Sequence, residues 1–359
     1  MKKTQKIILN ISASFLSALF TYFAFGLAGV SIITTNYINV RGSDINSLND
    51  EYYRVQYVRS DYASMSVREE IPFDCNGETL MGYLYQVSNP HGVIICAHGV
   101  NSIADGNHAQ YQNYFINKEW DIFAIDMTGC GRSSGKGMKT LHESKYCVSN
   151  AIKTIKNLAD TKDLPICLIG HSWGGYGVVA GSDKQNISAV ASFSGYETPA
   201  GMMYGYAENN VSPAVILTKP SLDVALTAYY GNESYVAASD VIKRNRRTNY
   251  VILHGENDTT VGLKKYSIYD HVVDRDIENV DTILLKNTAH ISPWKSGDAN
   301  AYYDGYVIPG LAELHSQYGE TIPEDKFEEF LATVDKEKSS AVNTELLDTI
   351  NNIFLASIS

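Results

Sequence analysis

Pro165-Ile166-Cys167-Leu168-Ile169 runs directly into Gly170-His171-Ser172-Trp173-Gly174-Gly175, and the chain resumes as Tyr176-Gly177-Val178-Val179-Ala180. A short β-rich run that breaks at glycine and restarts as an apolar stretch predicts a strand, a sharp turn and a helix, the pattern of a nucleophile elbow. Such a turn forces its central residue into a strained backbone conformation. Small neighbours at both ends then let strand and helix approach closely enough to hold Ser172 upright. The serine is expected at the carboxyl end of its strand, with the following backbone N–H, that of Trp173, pointing where an oxyanion would form. Gly-x-Ser-x-Gly alone is a weak signal, because average glycine and serine usage also produces it by chance. The rest of the chain has to decide.

The 359 residues, 44% of them hydrophobic, suffice for one large domain with an insertion or for two small ones. Twenty-nine Lys and Arg against 40 Asp and Glu give a formal charge of -11. The one basic cluster, Lys243-Arg244-Asn245-Arg246-Arg247, reads as a solvated helix end, so nucleic-acid binding is excluded. From Ile7 to Val40 there is no charged side chain, and Lys2, Lys3 and Lys6 stand in front. Ile7 to Ile33 is long enough to cross a bilayer, although Asn10, Ser12, Ser14, Ser17 and Thr21 dilute it. Gly26-Leu27-Ala28 offers a small-residue cleavage site, so residues 1–33 are expected to be a membrane anchor or a cleaved signal segment. The lysines favour a cytoplasmic amino terminus, which places the remainder outside the cytoplasm in either case. The five cysteines, Cys75, Cys96, Cys130, Cys147 and Cys167, are odd in number and lack C-x-x-C spacing, so neither a disulfide framework nor a zinc site is expected.

Residues 34–70 are polar and tyrosine-rich and read as a spacer between membrane and domain, with a short helix within Leu48 to Tyr62. Glu70 to Asp74 and Thr79 to Tyr85 alternate around Asn76-Gly77, a hairpin signal. Continuous apolar runs of buried-strand type follow at Gly92 to Ala97, Ile122 to Ile125, Pro165 to Ile169, Ala189 to Phe193, Tyr250 to Leu253 and Asp281 to Leu285. Helical patterns at His108 to Lys118 and Glu143 to Ala159 separate some of them. This alternation demands a mostly parallel sheet with helices on both faces. Two stretches do not fit it. Residues 196–240, with Met202, Met203, Tyr204, Tyr206, Tyr229 and Tyr230, are expected to form a lid over the carboxyl edge of the sheet. Residues 295–340 form a polar, acidic insertion, after which the amphipathic segment Thr344 to Leu355 is expected to close the domain.

If Ser172 is a nucleophile it needs a base, because a neutral hydroxyl attacks carbonyls poorly, and the base needs a carboxylate to fix its tautomer. Asp258 lies in a loop after the strand Tyr250 to Leu253, and His290 follows the strand ending at Leu285 in the same way. Glu256, Asp270 and Asp274 remain alternatives for the acid. His98, His171 and His254 flank glycines at strand ends and read as loop-shaping residues.

The elbow, the order Ser172, Asp258, His290, the pair His98-Gly99 and the loop Asp126-Met127-Thr128-Gly129-Cys130-Gly131-Arg132-Ser133 together resemble the α/β-hydrolase superfamily. The resemblance is to its lipase, esterase, monoacylglycerol-lipase-like and serine-aminopeptidase-like members, and it runs from about Ile71 to Leu355 outside the two insertions. It implies an α/β-hydrolase fold over residues 71–357 with an inserted lid, a Ser172–His290–Asp258 triad, and an oxyanion hole from the N–H groups of Val100 and Trp173. It also implies a structural turn role for Asp126 and no metal or cofactor. Val100-Asn101-Ser102 departs from the glycine-rich run often found after His-Gly, and the insertion after His290 is longer than a typical member carries. The expected activity is hydrolysis of a small-molecule carboxylic ester, an acyl ester or a lysolipid-like compound, with the membrane as partner through residues 1–33 and no obligate protein partner. Two alternatives stand beside it. One is a peptidase whose acidic residues, Glu197 or Glu208, grip a free amino terminus; the other is a non-catalytic surface protein that keeps the fold for binding.

Overall fold

The computed structural model describes residues 3–210 and 213–359; Met1 and Lys2 of the N-terminal segment and Val211 and Ser212 of the expected lid lie outside it. Eight strands form one sheet: β1 Glu69–Cys75, β2 Glu78–Tyr85, β3 Val93–Ala97, β4 Asp121–Asp126, β5 Ile166–His171, β6 Ala189–Phe193, β7 Asn249–Gly255 and β8 Val280–Leu285. Their order is β1-β2-β4-β3-β5-β6-β7-β8, with β2 antiparallel to both its neighbours and every other pair parallel. This is the α/β-hydrolase architecture. Asn76 and Gly77, with φ of 51° and 79°, make the β1–β2 turn, which demands positive φ at both central positions.

The helices are α1 Lys3–Ile33, α2 Glu51–Arg54, α3 Ala109–Ile116, α4 Glu143–Asn157, α5 Trp173–Gly181, α6 Pro199–Asn210, α7 Lys219–Tyr230, α8 Ala238–Arg244 and α9 Ile268–Val272. After β8 come α10 Gly297–Tyr302, α11 Ile308–Tyr318, α12 Glu324–Leu331, α13 Lys336–Ser340 and α14 Thr344–Ile358. Because successive strand side chains point to opposite faces, the apolar runs feed two cores. Val93, Ile95, Leu168 and Phe123 join Ile155 of α4, Val179 of α5 and Val241 of α8 on one face. Ile94, Cys96, Ile169 and Ile122 join Phe115 of α3 with Ile350 and Phe354 of α14 on the other. The closing helix, expected from Thr344, is therefore a wall of the second core.

Residues 34–70 differ from the spacer that their polarity suggested, because their polar groups are engaged with the domain. The Arg41 guanidinium donates to the carbonyls of Gly131, Ser133 and Gly135 at 2.6, 3.0 and 3.1 Å. Gly42 N–H donates to Gly129 O and Gly131 N–H donates to Ser43 O. Ile38 enters the first core, and Tyr53, Val55 and Met65 are buried. The insertion at 295–340 is the other half of this arrangement. Val55 packs into a separate apolar cluster with Tyr303, Val307, Leu311, Ile322 and Phe327. Ser339 Oγ donates to Val55 O and Tyr57 N–H donates to Ser340 Oγ. Two segments that looked unassigned are partners.

At this joint Lys295 is buried with no carboxylate paired to it among the described residues; its Nζ donates to Gln56 Oε1 at 2.9 Å and sits 4.5 Å from the Tyr303 ring centroid. Burial pushes its pKa down to about 7, against the weaker opposing pull of Asp304. In the unfolded chain the amine titrates near its ordinary 10.5. Between those values the unfolded state binds the extra proton, so stability should climb as pH rises from 7 toward 10 and lie flat below 7. Thermal unfolding at stepped pH should show this climb in the native chain. Lys295→Met should flatten it and gain on the order of 2 kcal/mol at pH 7.

Candidate active site

Ser172 sits at the β5–α5 turn with φ of 56° and ψ of -111°, outside the regions that side chains favour. The surrounding glycines are there because nothing larger fits. A Cβ on Gly174 would lie 2.2 Å from the Ala97 carbonyl oxygen, and one on Gly170 would lie 2.2 Å from Gly174 O. Backbone bonds hold the turn: Ser172 N–H to Phe193 O at 2.8 Å and Gly174 N–H to His98 O at 3.1 Å.

The three residues picked from the sequence meet here. His290 Nδ1 lies 2.7 Å from Asp258 Oδ2, and His290 Nε2 lies 2.9 Å from Ser172 Oγ. With Nδ1–H donated to the carboxylate, Nε2 is left to accept from the serine hydroxyl. Asp258 is itself fixed, since Oδ1 accepts the N–H groups of Thr260 and Val261 at 2.9 Å each. Burial opposes ionisation of Asp258, but the hydrogen bond and charge of His290, with His254 and the Val261 N–H, prevail and hold the carboxyl below its ordinary value. The alternative acids are occupied elsewhere, Glu256 with Lys286 and Asp270 with Lys264. Asp274 does not line the site.

Three further histidines tie down the loops that carry this geometry. His98 Nε2 accepts Met127 N–H at 3.0 Å, so its Nδ1–H donates to Gly99 O at 2.7 Å and sets the strand exit next to Val100. His171 Nε2–H donates to His290 O at 2.8 Å, and His254 Nε2–H donates to Val261 O at 2.8 Å. Burial, aided by the neighbouring His290, drives His171 down to about 3, so it stays neutral and keeps that donor role. Asp126 accepts from Tyr83 OH and from the N–H groups of Ala104 and Arg132, the behaviour of a turn residue. Gly99 and Val100 line, together with Ser172, a cavity of about 550 Å³, and Trp173 N–H, in the first turn of α5, lacks an intrahelical partner.

Ser172 opens into that cavity, and only 6% of it is exposed. Met202, Met203 and Tyr206 of α6 form part of the lining, whereas Tyr204, Tyr229 and Tyr230 of the same stretch do not. Ile33, Tyr37, Ile38, Tyr52 and Tyr53 also line it, and sequence reasoning missed them because Ile33 ends the segment read as an anchor and the other four belong to the segment read as a spacer. No Asp, Glu, Lys or Arg lines the cavity among the described residues. Glu197 accepts from Ser239 N–H and Oγ, and Glu208 accepts from Lys265 and Tyr266, so neither acid is presented to a substrate. Away from the cavity, the Cys75 and Cys147 thiols and the Glu143 carboxylate lie within 4.8 Å of one another, all buried, which is a donor set of the kind that takes zinc. None of the three lines the cavity.

A family model described as serine aminopeptidase, S33, matches residues 88–195. Among solved structures, an esterase of Pyrococcus furiosus, Pf2001, is similar in two crystal forms. One is 15% identical with a TM-score of 0.51, covering 81% of this chain and 98% of that one. The other is 14% identical with a TM-score of 0.50, covering 79% and 97%. Est1E from Butyrivibrio proteoclasticus, bound to ferulic acid, is 20% identical over 61% of this chain and 90% of that chain, with a TM-score of 0.47. No curated protein matches the sequence. At these identities the likeness is one of fold.

Gly174→Ala tests the elbow. The added methyl meets backbone and not a flexible side chain, so it should cost about 3 kcal/mol or more. A thermal unfolding comparison with the native chain reads the loss.

Proposed function

We propose that the protein, which shares the α/β-hydrolase fold, is a serine hydrolase of that superfamily cleaving carboxylic esters of apolar acyl groups through an acyl-enzyme. The observation that carries this reading is a cavity that among the described residues has no Asp, Glu, Lys or Arg in its wall and is lined by Met, Tyr, Ile and Leu side chains beside a few Asn, Ser and His, opening on Ser172 Oγ at 2.9 Å from His290 Nε2. In the first half-reaction His290 takes the Ser172 proton as Oγ attacks the ester carbonyl, and the oxyanion lies on the N–H groups of Trp173 and Val100. The ester C–O bond then breaks and His290 returns the proton to the leaving alcohol. In the second half, water loses a proton to His290, attacks the acyl carbon and releases the acid, and Ser172 regains its proton. Asp258 holds His290 in the tautomer that both halves need and stabilises its protonated form.

The peptidase reading of the same elbow needs a carboxylate for the substrate ammonium, and the absence of charge in the described wall weighs against it. We take α6, α7 and the turns around them as the lid, and residues 1–33 as an anchor that leaves the catalytic domain outside the cytoplasm. In support of the anchor, Ser14–Ile38 has a mean hydropathy of 1.9.

A panel of nitrophenyl esters from acetyl to palmitoyl, with aminoacyl anilides alongside, tests the activity. Ester turnover, together with labelling by a fluorophosphonate, is expected, and anilide turnover alone would reverse the assignment. Ser172→Ala should abolish both labelling and turnover while leaving the unfolding temperature in place. Asp258→Asn should fold and lose about 10³- to 10⁴-fold in kcat, since an amide supports the wrong imidazole tautomer and cannot stabilise imidazolium.

A further inference from the structure

Helix α1 is not a free tether. Its inward residues recur at helical spacing, Tyr22, Gly26, Val30 and Thr34, and that stripe lies on α7. Tyr22 OH donates to Leu217 O at 2.9 Å, and Ser221 Oγ donates to Tyr22 O at 2.7 Å. Thr34 and Tyr230 share a hydroxyl–hydroxyl bond. Val30, 1% exposed, packs with Ala200 and Tyr204 of α6 and with Ala225 and Leu226 of α7. At Gly26 the approach is so close that a Cβ would lie 2.1 Å from Ser221 Oγ and 2.6 Å from its carbonyl oxygen. One turn beyond this seam, Ile33, Tyr37 and Ile38 line the cavity.

The other side of α1 is apolar and uncovered. Ser14 to Thr21 are exposed all round, and Phe15, Phe20, Phe25 and Ile32 project outward, Phe20 with 77% exposure. The lid continues this surface with Leu217, 75% exposed, and Val224. Its nearby charges, Lys219 and Asp223, are paired with each other at 2.8 Å. Length then fixes where a bilayer must lie. Among the described side chains Tyr22 is the first docked on the lid, and the stretch between Lys6 and it, Ile7 to Thr21, spans as a helix roughly 22 Å. A hydrocarbon core of about 30 Å needs several residues more. Those residues are Tyr22 to Gly26 and beyond, which carry Leu217 and Ser221 with them.

We propose that the N-terminal helix and the lid form one unit whose apolar face is occupied by the lipid bilayer, so that the cavity mouth is held at the membrane and the ester is taken from lipid. This rests on reading the cavity as an acyl-ester site. The substrate class it selects is a single-chain acyl ester that partitions into membranes.

The full-length protein in phosphatidylcholine vesicles tests it. Leu217→Trp introduces a reporter, while the native Trp120, Trp173 and Trp294 are fully buried. Brominated phosphatidylcholine should quench the new fluorescence strongly; an unquenched reporter overturns the proposal whatever the enzyme does. Gly26→Leu wedges α1 from α7 at a position outside the cavity. It should raise KM for monooleoylglycerol in vesicles about tenfold and leave soluble nitrophenyl acetate turnover within about twofold. Equal effects on both substrates, or none on the vesicle substrate, overturn the coupling. Fluorophosphonate labelling in the same samples separates the two readings, because a native chain that neither labels nor hydrolyses either ester fails as a serine hydrolase, and quenching still decides where the lid lies.

Discussion

The approach of Gly174 to the Ala97 carbonyl is the constraint on which the rest of the molecule depends. With no room for a side-chain carbon at that point, β5 can end, reverse and enter α5 within a single residue, and Ser172 takes the positive φ that this requires. Strain of this kind costs on the order of 1–3 kcal/mol and survives only where its surroundings over-determine it. Here they do. Phe193 O holds the Ser172 N–H from the β6 side and His98 O holds the Gly174 N–H from the β3 side, so the two strands flanking β5 grip the turn. The same His98 then reaches sideways to Met127 and Gly99. One histidine thus couples the elbow to the next two loops along the sheet edge.

Around that point the sheet works as a registry device. Parallel strands deliver their carboxyl ends to one edge, so the loops after β5, β7 and β8 bring Ser172, Asp258 and His290 together although 118 residues separate the first from the last. Neutral histidines are suited to hold such loops. Each donates one N–H to a backbone carbonyl, and burial prevents His171 from gaining a charge that would repel a protonated His290.

The strands and these three residues were readable in the sequence because each depends on a local pattern. A buried parallel strand is a continuous apolar run, and a loop residue that follows such a run is at the carboxyl edge whatever the rest of the chain does. The walls of the cavity were not readable in that way. Tyr52 and Tyr53 sit in a polar stretch whose hydrogen-bonding groups pair with carbonyls and side chains far away in sequence, and composition cannot tell a paired polar group from a solvated one. Arg41, engaged with three carbonyls of the 131–135 loop, and Gln56, engaged with Lys295 and Gln110, show the difficulty. The insertion at 295–340 looked acidic and exposed because its apolar residues, Val307, Leu311 and Phe327, are spread over three short helical segments and match the equally dispersed Tyr52 and Val55. The stretch 196–240, expected as a lid, was half legible in what it places at the cavity. Met202, Met203 and Tyr206 reach the cavity, whereas Tyr204 turns to Asp223, a choice that depends on tertiary packing.

Residues 22–38 join these two kinds of structure. Composition marks them as part of an apolar N-terminal helix, yet only the fold reveals that one face of that helix is already used, by α7 and then by the cavity. Glycine is common in apolar spans, but Gly26 stands where a methyl would strike the Ser221 side chain and backbone, so here its small size is tied to the contact with α7. Glycine at that position trades hydrophobic area for close packing, which is sensible if the contact itself matters. The same short stretch therefore packs against α7 and contributes to the wall beside Ser172, and on the proposed reading it also fixes the depth at which the chain meets lipid. If the proposed reading holds, substrate choice and membrane position are two consequences of one packing seam.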